Sequence, residues 1–254
     1  MTRPGVAGRI ATLAVAAAAL TLLAAFGRVP IADSAVGDDL LPDLRTLSPA
    51  ELYLNSEGTE LRLSNTISNH GVGPLEIFPE PTAGGDCDGD GDVANDREAF
   101  QRVYEDSADP GSIGFYDYHF DTQSNVHFVG CMIFHPIHNH WHFEDFAYYA
   151  LRNESGRVVA RSTKVSFCVE DGSKVYPHIL GAFPYPWYPQ PSGTCTDTSV
   201  EGLSVGWADT YTAATQGQSI NISRVPAGNY CLVSRADPHD LLRDADRVTD
   251  DVAL

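Results

Sequence analysis

Short runs of alternating apolar and polar residues, separated by clusters of turn-forming residues, mark this chain as all-β. The expected architecture is a single β-sandwich-like domain with long irregular loops and little helix. Three observations carry that reading. Glu51–Leu54 and Glu60–Ser68 alternate around the turn Ser56-Glu57-Gly58, as the arms of a hairpin do. Phe146–Leu151 and Arg157–Phe167 repeat the arrangement around Asn153-Glu154-Ser155-Gly156. No stretch of convincing helical period precedes residue 240.

The elements follow in chain order. Arg3 and Arg9 precede the apolar run Ile10–Phe26, so residues 1–34 read as a signal peptide, or as an amino-terminal membrane anchor, with a short linker. Residues 35–254 then form the folded domain, secreted or otherwise extracytoplasmic. Leu41-Pro-Asp43-Leu44 ends the linker ahead of the first hairpin. Gly71, Gly73 and Pro74 break the chain before a short strand, Leu75–Phe78. Ala99–Tyr104 and Phe115–Phe120 are strand candidates by their aromatic and β-branched content. Residues 176–198, crowded with Pro and Tyr, predict a long ordered loop, and such loops inside a domain are usually functional or tied by a disulfide. Gln218–Ile222 and Asn229–Ser234 are expected to close the sheet around Pro226-Ala-Gly228. With 254 residues, 43% of them hydrophobic, the chain can bury one sizeable core.

A formal charge of −18 argues against nucleic acid or an anionic membrane surface as partner and favours cationic ones. Five cysteines (Cys87, Cys131, Cys168, Cys195 and Cys231) fit an oxidising compartment, and their odd number leaves one unpaired or bonded between chains. Of sixteen basic residues only two are lysines, Lys164 and Lys174.

The densest chemistry is His135-Pro-Ile-His138-Asn-His140-Trp-His142. On an extended strand alternate side chains share a face, so His138, His140 and His142 are expected to point one way and converge on an ion. An imidazole set with an open position suits copper(II) or catalytic zinc, not magnesium or calcium. Glu144 or Asp145 would be the base of a zinc hydrolase. Two acidic clusters are calcium candidates. Asp86, Asp88, Asp90 and Asp92 begin like a calcium loop, but Arg97 occupies the twelfth position, where a bidentate Glu belongs. Asp244, Asp246, Asp250 and Asp251 lie near the carboxyl terminus.

After the histidines come Lys164-Val-Ser-Phe-Cys168-Val-Glu170-Asp171, Gly202-Leu-Ser204-Val-Gly206-Trp207-Ala-Asp209-Thr-Tyr211, Ile220-Asn-Ile222 and Val225-Pro-Ala-Gly228-Asn-Tyr230. In this order, from about Pro42 to Val252, the chain resembles the catalytic domain of lysyl oxidases, copper amine oxidases that carry a lysine tyrosylquinone. The resemblance implies copper on His138, His140 and His142, with His135 beside them as a non-ligand. It implies that Lys164 and Tyr211 form the quinone and that Asp209 is the general base. Calcium ligands of the family map onto Asp43, the Leu44 carbonyl, Asp244, Asp246, Asp250 and Asp251, with the spacing at the end differing by a residue. Cys168 and Cys195 match a family bridge; Cys87 with Cys131 is the expected second, leaving Cys231 free.

The chain also departs from the vertebrate pattern. A histidine that follows the copper motif there is replaced near Tyr148, and the acidic insert around residues 84–98 is foreign to it. The whole looks like a compact bacterial-type member without scavenger or propeptide domains. The implied activity converts primary amines, peptidyl lysine or small cationic amines, to aldehydes with O2, releasing hydrogen peroxide and ammonia. The alternative is a non-catalytic extracellular copper- and calcium-binding β module, which would need neither Lys164 nor Tyr211.

Overall fold

A computed structural model of the chain describes residues 39–80, 85–105, 124–164, 166–189, 194–245 and 251–253. The expected amino-terminal signal peptide or anchor at 1–34, the expected strand Phe115–Phe120, Asp246 and Asp250 fall outside them. Among the described residues there is no helix, which meets the all-β expectation. The strands are β1 (Asp39–Leu40), β2 (Leu44–Leu47), β3 (Leu52–Leu54), β4 (Glu60–Leu63), β5 (Asn65–Asn69), β6 (Leu75–Pro79), β7 (Asp96–Glu105), β8 (Ser124–His135) and β9 (His140–Phe143). They continue as β10 (Ala147–Arg152), β11 (Val158–Arg161), β12 (Ser173–Lys174), β13 (Glu201–Leu203), β14 (Trp207–Tyr211), β15 (Ser219–Asn221), β16 (Cys231–Ala236) and β17 (Asp251–Ala253).

These strands make four antiparallel sheets. The largest runs β13-β6-β7-β8-β9, with β1 also on β7; the others run β11-β10-β16-β17, β12-β14-β5-β2 and β15-β4-β3. All four line one core, to which Leu44, Leu63, Leu75, Met132, Tyr149 and Leu203 contribute fully buried side chains. Burial of such side chains, at roughly 1.5–3 kcal/mol each, is what holds the sheets to one another.

Both hairpins read from local turns are present, β3 with β4 and β10 with β11. Three pairings differ from expectation. Glu60–Ser68 is two strands, not one: the Ser64 hydroxyl accepts from Ala50 N and Glu51 N, and β4 and β5 leave that point for different sheets. Gln218–Ile222 and Asn229–Ser234 are not partners, because β15 pairs with β4 and β16 with β10. Strand β8 went unread in the sequence because a bulge breaks its alternation. Ala99 pairs with Gly130 but Phe100 pairs with Phe128, and Gly130 takes φ 122°. The bulge switches which residues face inward, so Phe128 is exposed while Val129, Cys131 and Met132 are buried.

The described residues of the long loop expected at 176–198 form no strand, and side chains hold them. Cys195 is bonded to Cys168, and Trp141 N donates to Cys195 O at 2.7 Å. The buried Asp171 carboxylate accepts from Trp187 N (2.7 Å), Tyr188 N (3.2 Å), Ser204 N (2.8 Å) and Ser204 Oγ (2.6 Å). Four donors on one carboxylate join the loop to the turn before β14. Asp171→Ala leaves those donors buried and unpaired, and is expected to lower stability by about 3 kcal/mol. A denaturant midpoint unchanged from the parent would show that the loop does not depend on this anchor. The second bridge is Cys87–Cys131, and Cys231 is free and exposed.

Candidate active site

The hairpin between β8 and β9 builds the histidine cluster. Strand β8 ends at His135 and β9 begins at His140; between them the chain turns, with Asn139 at φ 57°. The N–H groups of His138 and Asn139 both donate to His135 O, at 3.1 and 2.8 Å. His138 therefore lies on the turn, not on the strand with the other two as its spacing suggested. His140 and His142 share a face of β9, and the turn folds His138 back over them.

His140 Nε2 stands 2.9 Å and His138 Nδ1 3.3 Å from His142 Nε2. Two nitrogens bound about 2.0–2.1 Å from one ion, at angles near 90–110°, stand about 2.9–3.4 Å apart. The three imidazoles thus fit a first-row transition metal as they are arranged. His142 is fully buried, and its Nδ1 lies 3.3 Å from Ser166 Oγ. Donating that ring N–H to the hydroxyl leaves the Nε2 lone pair for a metal. Burial, helped by the positive charge of Lys164, pushes the His142 pKa down to about 2, so the ring is neutral. His138 and His140 are also lowered, chiefly by burial. His135 stacks on His138 at 4.2 Å between centroids and stays outside the cluster.

Glu144 and Asp145, the bases a zinc hydrolase would use, do not line the cavity beside the histidines. Glu144 is raised to about 7, first by burial and then by Asp145, Asp88 and Asp96. Asp145 sits 3.6 Å from His239.

A backbone bridge brings the lysine segment to this hairpin. Phe143 N donates to Phe167 O and Phe167 N to Phe143 O, at 2.8 and 2.9 Å, which sets Ser166 beside His142. Strand β14 joins the same segment from another sheet, because the Tyr211 hydroxyl accepts from Cys168 N and donates to Cys168 O, both at 2.9 Å. Lys164 Nζ lies 4.7 Å from the Phe167 ring centroid and 5.3 Å from that of Tyr211. Burial lowers the Lys164 pKa to about 8, against the opposing pull of Asp209. Burial also keeps the Tyr211 phenol neutral by raising it well above its usual value.

Asp209 lies two residues before Tyr211 on β14, is 4% exposed, and has an Oδ2 with no hydrogen-bond partner among the described residues. Burial and then Glu170 push its carboxyl well above the ordinary range. A cavity of about 340 Å³ is lined by His138, His140, His142, Glu170, Asp209 and Tyr211.

Three contributors escaped the sequence reading. Ser166 and Glu170 stood inside the lysine motif with no role attached. Gly217 takes φ 78° and packs against Lys164, where a Cβ would come within 3.2 Å of Cδ. A lone glycine ahead of a strand was the only signal for it.

Of the calcium candidates, Asp43 pairs with Arg45, and Asp244 Oδ2 accepts from Leu44 N at 2.8 Å, which brings Asp43, Leu44 and Asp244 together. Asp251 belongs to β17, and Asp246 and Asp250 lie outside the described residues. In the acidic insert Asp86 and Asp88 approach the buried Asp96, and all four carboxylates accept from amides further along the loop, Asp86 from Gly91 N, Asp88 from Asp90 N, Asp90 from Asp92 N and Asp92 from Ala94 N.

Residues 126–251 match the family described as lysyl oxidase. The protein-lysine 6-oxidase of Gallus gallus is 37% identical over 114 residues, 44% of this chain and 24% of that protein. That of Sus scrofa is 35% identical over 114 residues, again 44% of this chain and 41% of the relative. Lysyl oxidase homolog 1 of Homo sapiens is 32% identical over 114 residues and is covered over 18% of its length. The match spans less than half the length of each of these curated relatives.

Proposed function

Since this chain belongs to the lysyl oxidase family, we propose that it is a secreted copper-dependent amine oxidase that converts primary amines to aldehydes with O2, releasing hydrogen peroxide and ammonia. Peptidyl lysine or a small cationic amine is the substrate class. The observation that carries the reading is the Lys164 amine over the Tyr211 ring, beside three converging imidazoles. His138, His140 and His142 would hold copper, and Lys164 and Tyr211 would supply the quinone. Such a quinone offers an electrophilic carbonyl to a primary amine and accepts its electrons.

The chain's own residues prepare that chemistry. Ser166 fixes the tautomer of His142, as outer-sphere groups do at histidine metal sites. Cys168 holds the Tyr211 oxygen in place through both of its backbone groups. Gly217 leaves room for the Lys164 stem, and Phe167 lies under its amine. Asp209 lines the cavity and keeps one desolvated oxygen without a hydrogen-bond partner among the described residues. Its raised pKa makes its ionised form a strong proton acceptor, suited to take the α-proton of a bound amine.

The lysine must lose its proton before it can act as a nucleophile. With a pKa of about 8, roughly one Lys164 amine in ten is neutral at pH 7, against roughly one in three thousand for an ordinary lysine. The reactive form is the deprotonated one, so formation of the Lys164–Tyr211 link in copper-loaded protein is expected to speed up as pH rises through about 8 and then level off. A rate independent of pH between 6 and 9 would remove Lys164 deprotonation from the pathway.

The assignment is tested by intact mass and visible absorbance of the copper-loaded chain in air, with and without phenylhydrazine. The expected result is a phenylhydrazine adduct on a cross-linked peptide containing Lys164 and Tyr211. Bound copper with no cross-link would instead indicate a metal-binding module without amine oxidase chemistry.

A further inference from the structure

The sheet β11-β10-β16-β17 has one face in the core and one turned outward. On β10, Tyr149 and Leu151 are buried, so Tyr148 and Arg152 belong to the outer face. The register places Arg235 opposite Tyr148, and Arg161 opposite Ala150. Arginines from three neighbouring strands therefore share that face. They line one cavity of about 540 Å³, floored by Val233 and completed by Ser162, Thr163 and His239. It has no lining residue in common with the histidine cavity.

The chain carries fourteen arginines and a net charge of −18, so three of them at one cavity is a local reversal of sign. Like charges on adjacent strands repel one another unless something offsets them. Arg235 is offset by Asp240 at 3.1 Å. The guanidinium groups of Arg152 and Arg161 make no hydrogen bond or ion pair with any described residue, and the one carboxylate in the lining, Asp145, faces His239 at 3.6 Å. The Ser162 oxygen already accepts from Lys164 N at 3.1 Å, which leaves its hydroxyl hydrogen to donate. Uncompensated guanidinium forks, hydroxyl donors and a histidine around one concavity are the donor set for a multivalent oxyanion.

We propose that this cavity binds a tetrahedral oxyanion, phosphate or sulfate, free or as the monoester of a larger ligand. Arg152 and Arg161 take its oxygens as paired hydrogen bonds, and Ser162 and Thr163 donate to the remainder. The volume exceeds that of an inorganic ion and leaves room for the group that carries an ester.

Calorimetric titration of the full chain with inorganic phosphate, inorganic sulfate and O-phosphoserine, at constant ionic strength, tests this. One saturable site is expected, weakened about tenfold by Arg152→Gln and by Arg161→Gln and unchanged by Arg224→Gln, an exposed arginine away from the cavity. Arg161→Lys keeps the charge but not the fork, and is expected to weaken binding severalfold even if a glutamine variant does not fold. Phosphoserine binding more tightly than phosphate identifies an ester; equal or weaker binding identifies the free ion. Absence of a saturable site overturns the proposal, as does a site that Arg224→Gln weakens as much as the cavity substitutions.

Discussion

Replacing Lys164 with arginine is expected to lower amine oxidation by more than about a thousandfold while leaving the fold and the metal content as they were. Arginine has a similar length and charge, and can keep the contact with the Phe167 and Tyr211 rings that the lysine makes. It cannot lose its proton at any pH the protein survives, so it supplies no nucleophile. The variant should bind copper as the parent does and give no chromophore with phenylhydrazine. Lys174→Arg, at the only other lysine, serves as the control and should behave as the parent. Substantial oxidation by the Lys164 variant would mean that the electrophile does not involve this residue, and the functional proposal would fall with it.

His142→Ala is expected to weaken copper binding by more than about a hundredfold, because it removes the nitrogen that both other imidazoles face. Ser166→Ala should lie between this variant and the parent, with a loss of about tenfold, since it releases the tautomer of His142 without removing a ligand. Competition against a chelator of known affinity measures both. The order of the two losses is the informative result. Equal affinities for the parent and the His142 variant would take His142 out of the ligand set.

Much of the candidate site is legible in residue order, because its signals are local. Three histidines at spacing two, a lysine in a short motif and an aspartate two residues before a tyrosine each occupy a few consecutive positions. The two hairpins were legible for the same reason: Ser56-Glu57-Gly58 and Asn153–Gly156 specify turns by their own backbone preferences. Both disulfides also agreed with expectation.

Other features depended on partners far away in the chain. Ser64 ends one strand and begins another because its hydroxyl captures backbone donors of Ala50 and Glu51. Strand β8 hides its period behind the bulge at Gly130, which exists only in pairing with β7. His138 reaches the cluster by a turn, and Glu170 reaches it through the approach of β14 to the lysine segment.

Residue order is enough to make the chain all-β, to locate its local hairpin turns, and to single out candidates for metal and amine chemistry. Which strands pair, the place of Lys164 over Tyr211, and the gathering of three arginines on one outer face follow from the folded chain alone. The difference is one of range. Turn preference and side-chain alternation act within a few residues, whereas a lowered lysine pKa, an unpaired carboxylate oxygen and a gathered set of like charges are created by burial and by neighbours distant along the chain.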